Sequence, residues 1–406
     1  MQYRSDRHGE PISLLGFGCM RFRRSGAGID QEEADREIRR AIELGVNYFD
    51  TAYIYPGSEA CLGEALSRDG LRDRVNIATK LPQYLIKDAA AIDRYFSEEL
   101  KRLRTDHVDY YLMHMLTDIA AWRKLEALGI REWIREKKNS GAIRNIGFSF
   151  HGNTALFLQI LDAYDWDFCQ IQYNYMDEVS QAGRKGLQEA ARRGIPVIIM
   201  EPLRGGKLVS MLPEKAKAVI AADPKRRSPA ELALRWLWEQ PEVTCVLSGM
   251  NSMEMLEENC RIASQVQPHE FGGEDRQMID SVRQAINEKL MINCTGCSYC
   301  MPCPQGVDIP GTFRCYNEMS MESRQAGRHE YSQVVCLREK PGLASQCIGC
   351  GRCERHCPQH LPIIETLKKA GRALTPWYYR PVLGVMRWWL YGRKASGAKN
   401  AAAGGK

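Results

Sequence analysis

The 406-residue chain has no apolar run approaching the ~18 residues that a membrane-spanning helix requires. Its opening residues, Met1 to His8, are polar and lack the apolar stretch of a secretory signal, so a cytoplasmic location is expected. No long basic run is interleaved with aromatics, and a formal charge of +6 is modest for this length, which argues against a nucleic-acid partner. A complete glycine-rich phosphate turn is also missing. Gly16-Phe17-Gly18-Cys19-Met20-Arg21 supplies only two of the three glycines, which weakens a doubly wound dinucleotide fold. Cysteine, by contrast, is abundant, with 15 residues. Seven are scattered (Cys19, Cys61, Cys169, Cys245, Cys260, Cys315 and Cys336) and eight crowd into two tight clusters, so ligation explains them better than disulfides do.

The hydrophobic share of 44% and the charged share of 26% are those of an ordinary globular protein, and the length suggests more than one unit. Short apolar runs at 12–20, 46–50, 75–80, 108–114, 146–149, 168–172, 196–201 and 244–248 alternate with amphipathic stretches such as 31–44, 89–103, 130–140, 180–193 and 228–240. This alternation predicts βα units and a parallel sheet. Ser228-Pro229 followed by Glu231 is a helix start. Gly45, Gly141 and Gly194 stand where left-handed helix ends are wanted. Eight units fit a (β/α)8 barrel of about 250 residues, whose functional groups gather at the C-terminal ends of the strands. The expected division is a barrel over 1–270, a connecting helix within 271–290, a smaller, mainly helical domain over 291–370 that holds the two cysteine clusters, and an aromatic, basic tail over 371–406 whose last residues, 394–406, read as disordered.

Three apolar runs end on chemistry. Asn47-Tyr48-Phe49-Asp50 closes on a carboxylate and is followed by a loop carrying Tyr55; Val75 to Lys80 closes on an ammonium; Val108 to His114 closes on an imidazole. A phenol is a poor proton donor at its ordinary pKa near 10. A neighbouring ammonium, itself held by a carboxylate, is expected to lower that value and let the phenol protonate a carbonyl oxygen. Taken singly, Asp50, Lys80 and His114 read equally well as strand-end ion-pair residues.

Phe49-Asp50-Thr51-Ala52-Tyr53-Ile54-Tyr55, Ala78-Thr79-Lys80 and Leu112-Met113-His114 resemble the aldo/keto reductase signature, and Ile146-Gly147-Phe148-Ser149 and Gln170-Ile171-Gln172-Tyr173-Asn174 resemble its fifth- and sixth-strand motifs. The resemblance covers roughly 1–265. It implies a nicotinamide cofactor, NADP or NAD, extended across the barrel mouth, with Tyr55 as proton donor, Lys80 and Asp50 tuning it, and His114 orienting a small-molecule carbonyl. It further implies Ser149 and Gln170 at the carboxamide, Leu203, Gly205 and Lys207 at the pyrophosphate, and Gly249, Ser252, Glu258 and Asn259 at the adenosine end. Three positions depart from the family pattern: Phe150, Met200 and Met255, the last leaving the choice between NADP and NAD open.

Cys347-x2-Cys350-x2-Cys353-x3-Cys357-Pro358 has the bacterial ferredoxin spacing for [4Fe–4S] ligation, in which the fourth cysteine serves the other cluster. Cys294-x2-Cys297-x2-Cys300-x2-Cys303-Pro304 is one residue shorter at its end, which is tolerable if Cys303 reaches across. The pairing expected is Cys294, Cys297 and Cys300 with Cys357, and Cys347, Cys350 and Cys353 with Cys303. Two zinc sites are the competing reading. The whole chain resembles the ferredoxin-fused branch of aldo/keto reductases. Iron–sulfur centres move single electrons and nicotinamide moves two, so a relay between them needs a splitting cofactor; flavin is not excluded, although no residue pattern names its site. A ferredoxin-like protein or a second subunit is the expected redox partner. The alternative is an electron-transfer or sensing subunit whose barrel binds nucleotide without turnover. His151, Arg204 and Lys207 read as pocket residues or as plain loop residues. The Trp-rich tail reads as docking onto its own barrel or a partner subunit, with a membrane surface the less favoured reading.

Overall fold

The computed structural model describes residues 1–26, 28–152, 154–179, 181–294, 296, 300–337, 341–357 and 360–388. Cys297, Pro358 and the stretch 394–406 lie outside the described residues. The chain forms two compact units: Met1–Leu212 with Lys217–Ser281, and Pro213–Ala216 with everything from Val282 onward.

In the first unit eight parallel strands close into a barrel. They are β1 Leu15–Gly18, β2 Tyr48–Asp50, β3 Asn76–Leu81, β4 Val108–Leu116, β5 Ile143–Phe150, β6 Phe168–Gln172, β7 Val197–Met200 and β8 Val243–Ser248. Each strand pairs with the next, and β8 returns to β1 through Val246↔Leu15, Leu247↔Gly16 and Ser248↔Phe17. The (β/α)8 architecture expected from the alternation is thus the one observed. The strands read as unbroken apolar runs because a parallel barrel buries both faces.

The first run differs from its expected form. Pro11–Ser13 pairs antiparallel with Tyr3–Ser5, β1 is confined to Leu15–Gly18, and Cys19–Arg21 turns into a short 3-10 helix. Ser13 makes the break. Its Oγ donates to the Leu15 carbonyl at 2.7 Å and its N–H donates to Asn47 Oδ1 at 2.8 Å, so bonds to side chains and to its own turn replace the ladder there. Helix signals behave as anticipated: the Ser228 side chain accepts the Glu231 N–H ahead of helix Pro229–Trp238, and Gly45, Gly141 and Gly194 have φ of 90°, 78° and 68°.

The lower barrel is filled. Tyr48, Tyr110, Leu112, Phe168, Ile198 and Cys245 are buried together, with Tyr110 5.0 Å from Tyr48 and 5.1 Å from Phe168, ring to ring. The Tyr110 hydroxyl donates to Asp6 Oδ2 at 2.8 Å, tying this core to the N-terminal hairpin. With that end packed, polar side chains gather at the C-terminal ends of the strands.

The second unit is mainly helical. Helices Ile309–Met321, Arg324–Tyr331, Ile363–Leu374 and Tyr379–Arg387 accompany a short turn, Arg352–Arg355. Val307, Ile309, Phe313, Tyr331, Val335, Leu367 and Leu374 form its core, and Cys353 and Cys357 are buried within the same cluster. Asn317 braces the first cysteine segment: its Oδ1 accepts the Ile292 N–H at 3.0 Å and its Nδ2 donates to the Ile292 carbonyl at 2.8 Å. The Tyr331 hydroxyl accepts the Ala344 N–H at 2.9 Å ahead of the second.

Gly63 lies where helix Ser58–Leu66 meets helix Ala89–Leu103. A Cβ there would sit 2.4 Å from the Arg102 carbonyl oxygen and 2.6 Å from the Leu103 carbonyl carbon, both backbone atoms. Gly63→Ala is therefore expected to cost about 1–3 kcal/mol through forced separation of the two helices. Urea unfolding of the variant measures this, and an unchanged midpoint contradicts it.

Candidate active site

The site is built on one buried cation. Lys80, on β3, is completely buried, and Asp50, at the end of β2, is nearly so. Lys80 Nζ donates to both Asp50 oxygens at 2.7 Å and to the Thr51 carbonyl at 2.6 Å. Three donors meet three acceptors, which is what a buried ammonium requires. Burial pushes the Asp50 carboxyl up and the ammonium opposes it.

Tyr55 follows on the loop after β2. Its ring centroid is 5.4 Å from Lys80 Nζ, and it meets the His114 ring edge to face at 6.1 Å and 85°. Its acidity runs against the sequence expectation. Burial, then the charges of Asp50 and Glu201, push the phenol pKa upward. The ammonium is already neutralised by Asp50, so its pull on the phenol is small and desolvation decides the sign. Tyr55 is therefore a neutral O–H through the neutral pH range. His114, on β4, is driven down to about 2 by burial, Lys80 and His151. It is a neutral imidazole, and its buried Nδ1 has no partner among the described residues.

Ser149 and Gln170 stand beside one another on β5 and β6. Ser149 Oγ accepts the Met115 N–H at 2.8 Å, where β4 loses its register and Met115 takes φ 56°. Gln170 Nε2 contacts Met200 Sδ at 3.7 Å, while its Oε1 is buried with no partner among the described residues. An orphaned amide oxygen at the top of a barrel strand is a place for a ligand N–H.

The loop after β7 runs through left-handed residues: Glu201 at φ 54°, Arg204 at 48°, Gly205 at 67° and Gly206 at 92°. Such outliers persist only where the surroundings hold them. Here Asn174 Nδ2 donates to the Glu201 carbonyl at 3.1 Å, and Asp177 faces Arg204 at 3.3 Å while also accepting from Asn174 and Gln172. Arg204 is thus engaged by the segment after β6. Leu203 precedes the turn and Lys207 opens the short helix after it. At the end of β8, Gly249 is followed by Ser252, whose side chain caps helix Met253–Gln265. Glu258 accepts from Ser228 Oγ at 2.9 Å, and buried Asn259 donates to Ser248 Oγ at 3.1 Å, so both are tied to the scaffold in this structure.

Arg21 is the residue that sequence reasoning passed over. A Cβ on Gly249 would lie 2.8 Å from its Cδ, and one on Gly205 would lie 2.9 Å from its Nη2. The guanidinium also faces Glu201 at 3.9 Å. It therefore stretches from the end of β1 past the loops after β8 and β7. The signal was present in Gly16 to Arg21, where attention fell on the glycines instead.

In the second unit, Cys303, Cys347, Cys350 and Cys353 line one hollow together with Cys300, Ile309, Ile348 and Leu367. None of the described cysteines is disulfide-bonded. Among the described residues no three side chains are drawn in to metal-ligating distance. The fit to an iron–sulfur group rests on the donor set: several thiols around one apolar hollow, the soft ligands such a group takes. Cys294 packs against the same core as Cys357.

A family model described as the aldo/keto reductase family matches residues 14–281, and one described as a 4Fe-4S dicluster domain matches residues 293–361. L-galactose dehydrogenase of Arabidopsis thaliana is 25% identical over 309 residues, covering 70% of this chain and 92% of that protein. An aldo-keto reductase of Mycolicibacterium vanbaalenii is 28% identical over 262 residues, covering 63% and 83%. Among solved structures, the holo form of a Bacillus halodurans aldo-keto reductase superposes with a TM-score of 0.58 at 27% identity, over 70% of this chain and 97% of that one. A Klebsiella pneumoniae aldo-keto reductase in complex with NADPH shares the fold at a TM-score of 0.57 and 24% identity, over 70% and 96%.

Lys80→Met would strand Asp50 as an unpaired buried carboxylate. It is expected to cost about 3–5 kcal/mol, most of it recovered in the Asp50→Asn/Lys80→Met double variant. Urea titrations of the two variants decide this; a single variant no less stable than the double contradicts it.

Proposed function

Because the chain belongs to the aldo/keto reductase family, an oxidoreductase family, and carries a 4Fe-4S-type segment C-terminal to the barrel in sequence, we propose that it reduces a carbonyl group at the barrel mouth, with Tyr55 as proton donor. The observation that carries this reading is the union of Tyr55, Lys80, Asp50 and His114 in one pocket around a fully partnered ammonium. When bound, NADPH or NADH supplies the hydride, and with it both electrons. The chain's own residues do the rest. Gln170 Oε1 accepts from the carboxamide, and Ser149 stands beside it. Leu203, Gly205 and Lys207 follow the pyrophosphate, with Gly249 and Ser252 toward the adenosine end. Glu258 and Asn259 reach the adenosine only by giving up Ser228 and Ser248.

His114, neutral, donates a hydrogen bond to the carbonyl oxygen and fixes its direction. Tyr55 transfers its proton to that oxygen as negative charge develops there. The phenolate left behind faces the Lys80 ammonium and is reprotonated from solvent. A raised pKa suits this direction, since the donor keeps its proton at the pH where it is used. The phenolate required for alcohol oxidation is scarce until high pH.

Cys294, Cys297 and Cys300 with Cys357, and Cys347, Cys350 and Cys353 with Cys303, are the ligand sets we assign to two [4Fe–4S] clusters; Cys297 lies outside the described residues. Cys303 lines one hollow with Cys347, Cys350 and Cys353, as the crossed pairing requires, and Cys300 of the other set borders the same hollow. Such clusters carry single electrons, so their exchange is with a ferredoxin-like protein or a second subunit rather than directly with the hydride.

Tyr55→Phe is expected to lower kcat by about 10²–10⁴-fold in reduction of 4-nitrobenzaldehyde with NADPH, while fluorescence titration shows NADPH affinity unchanged. Reduction at the parental rate would overturn the assignment. In the parent, the reduction rate should stay level from pH 6 to 8, because burial and Lys80 keep His114 neutral with a pKa of about 2, while alcohol oxidation rises with pH. A limb near the ordinary histidine value of about 6.5 contradicts the histidine assignment. Protein purified without oxygen should contain roughly eight iron and eight sulfide per chain, and Cys350→Ser roughly half of each. Zinc without labile sulfide would refute the clusters.

A further inference from the structure

The C-terminal helix Tyr379–Arg387 is anchored on one side only. Leu383 packs against the core of the second unit, Arg328 lies 5.7 Å over the Tyr379 ring, and Arg328 Nη1 donates to the Tyr378 hydroxyl at 3.1 Å. Val382, Val385 and Met386 recur at helical spacing and share a face, and that face is uncovered: Val382 is 58% exposed and Val385 66%. Trp377 and Trp388 bracket it at 79% and 66% exposure.

The sequence adds a charge asymmetry. Residues 366–406 hold nine Lys and Arg and no Asp or Glu; the chain's formal charge of +6 therefore leaves −3 for residues 1–365. Aromatics stand at both ends of the aliphatic centre, as Trp377-Tyr378-Tyr379 and Trp388-Trp389-Leu390-Tyr391. None of this serves the barrel chemistry or the thiol ligands.

We propose that this segment binds the surface of an anionic lipid bilayer. Three observations select that occupant. Of the nine cations Lys369 is paired with Glu365 at 2.6 Å, and the other eight complement negatively charged headgroups. Aromatics at both ends of a short aliphatic stretch are the side chains that settle at a membrane–water interface. Among the described residues no helix is long and apolar enough to cross a membrane, and Arg380 and Arg387 interrupt the sequence from Trp377 to Tyr391, which suits a surface position. A second copy would bring eight like charges against eight. Nucleic acid would satisfy the charges and leave Val382, Val385 and Met386 uncovered.

The test is co-sedimentation of the full-length protein with vesicles of phosphatidylcholine alone and of phosphatidylcholine mixed with phosphatidylglycerol. Binding is expected only with the mixed vesicles and should weaken as salt is added. Arg393→Gln, Lys394→Gln and Lys399→Gln should each weaken it about fivefold, and Val382→Asp about tenfold or more. Iron content and NADPH reductase activity of these variants should match the parent, which separates the tail from the barrel and shows that the variants fold. Absence of binding to either vesicle overturns the proposal. So does equal binding to both that Val382→Asp does not change. A dimer in light scattering that Val382→Asp dissolves, with no vesicle binding, also overturns it and gives the face to a second copy.

Discussion

The barrel mouth depends on one ammonium that has no contact with water. Lys80 is stable in that position because Asp50 and the Thr51 carbonyl take all three of its protons. Burying a charge costs several kcal/mol unless it is met in this way. The demand fixes more than the pair. It ties the end of β2 to β3 and sets where the Thr51–Gly57 loop begins, and hence where the Tyr55 ring stands relative to Lys80 and His114. Because the ammonium is already balanced, the phenol is governed by its own desolvation rather than by its cationic neighbour. In the proposed reduction the phenol holds its proton until charge develops on a bound oxygen.

The strained loop after β7 is the second constraint. Glu201 and Arg204 adopt left-handed backbone that branched or bulky residues rarely accept. Buried Asn174 and Asp177 on the neighbouring segment supply the compensating bonds. The same loop brings Glu201 toward Arg21, so two charges face each other across the mouth at 3.9 Å. The second unit has its own core, in which Cys353 and Cys357 are buried, while Cys350 is exposed.

Much of this was legible in the residues. A polar residue that closes an apolar run lies at a strand's C-terminal end, and three such residues in consecutive units must meet if the sheet closes. That carried Asp50, Lys80 and His114, and the spacing to Tyr55 completed the set. The cysteine spacings spoke for ligation because four thiols at intervals of two or three have few other uses. What stayed hidden depends on neighbours distant in sequence. The first strand looked longer than it is because Ser13 is bonded to Asn47, 34 residues away. The direction of the Tyr55 shift needed the burial of the ring and the prior claim of Asp50 on Lys80. Arg21 needed the two loops it passes. Glu258 and Asn259 appeared available until their bonds to Ser228 and Ser248 were seen.

The most direct measurement is a crystal structure of the protein grown with NADPH. The nicotinamide should lie at the barrel mouth within reach of the Tyr55 hydroxyl, its carboxamide nitrogen donating to Gln170 Oε1. A dinucleotide bound in another crevice, with Gln170 Oε1 still unpartnered and the Tyr55 hydroxyl facing only protein, would contradict the account.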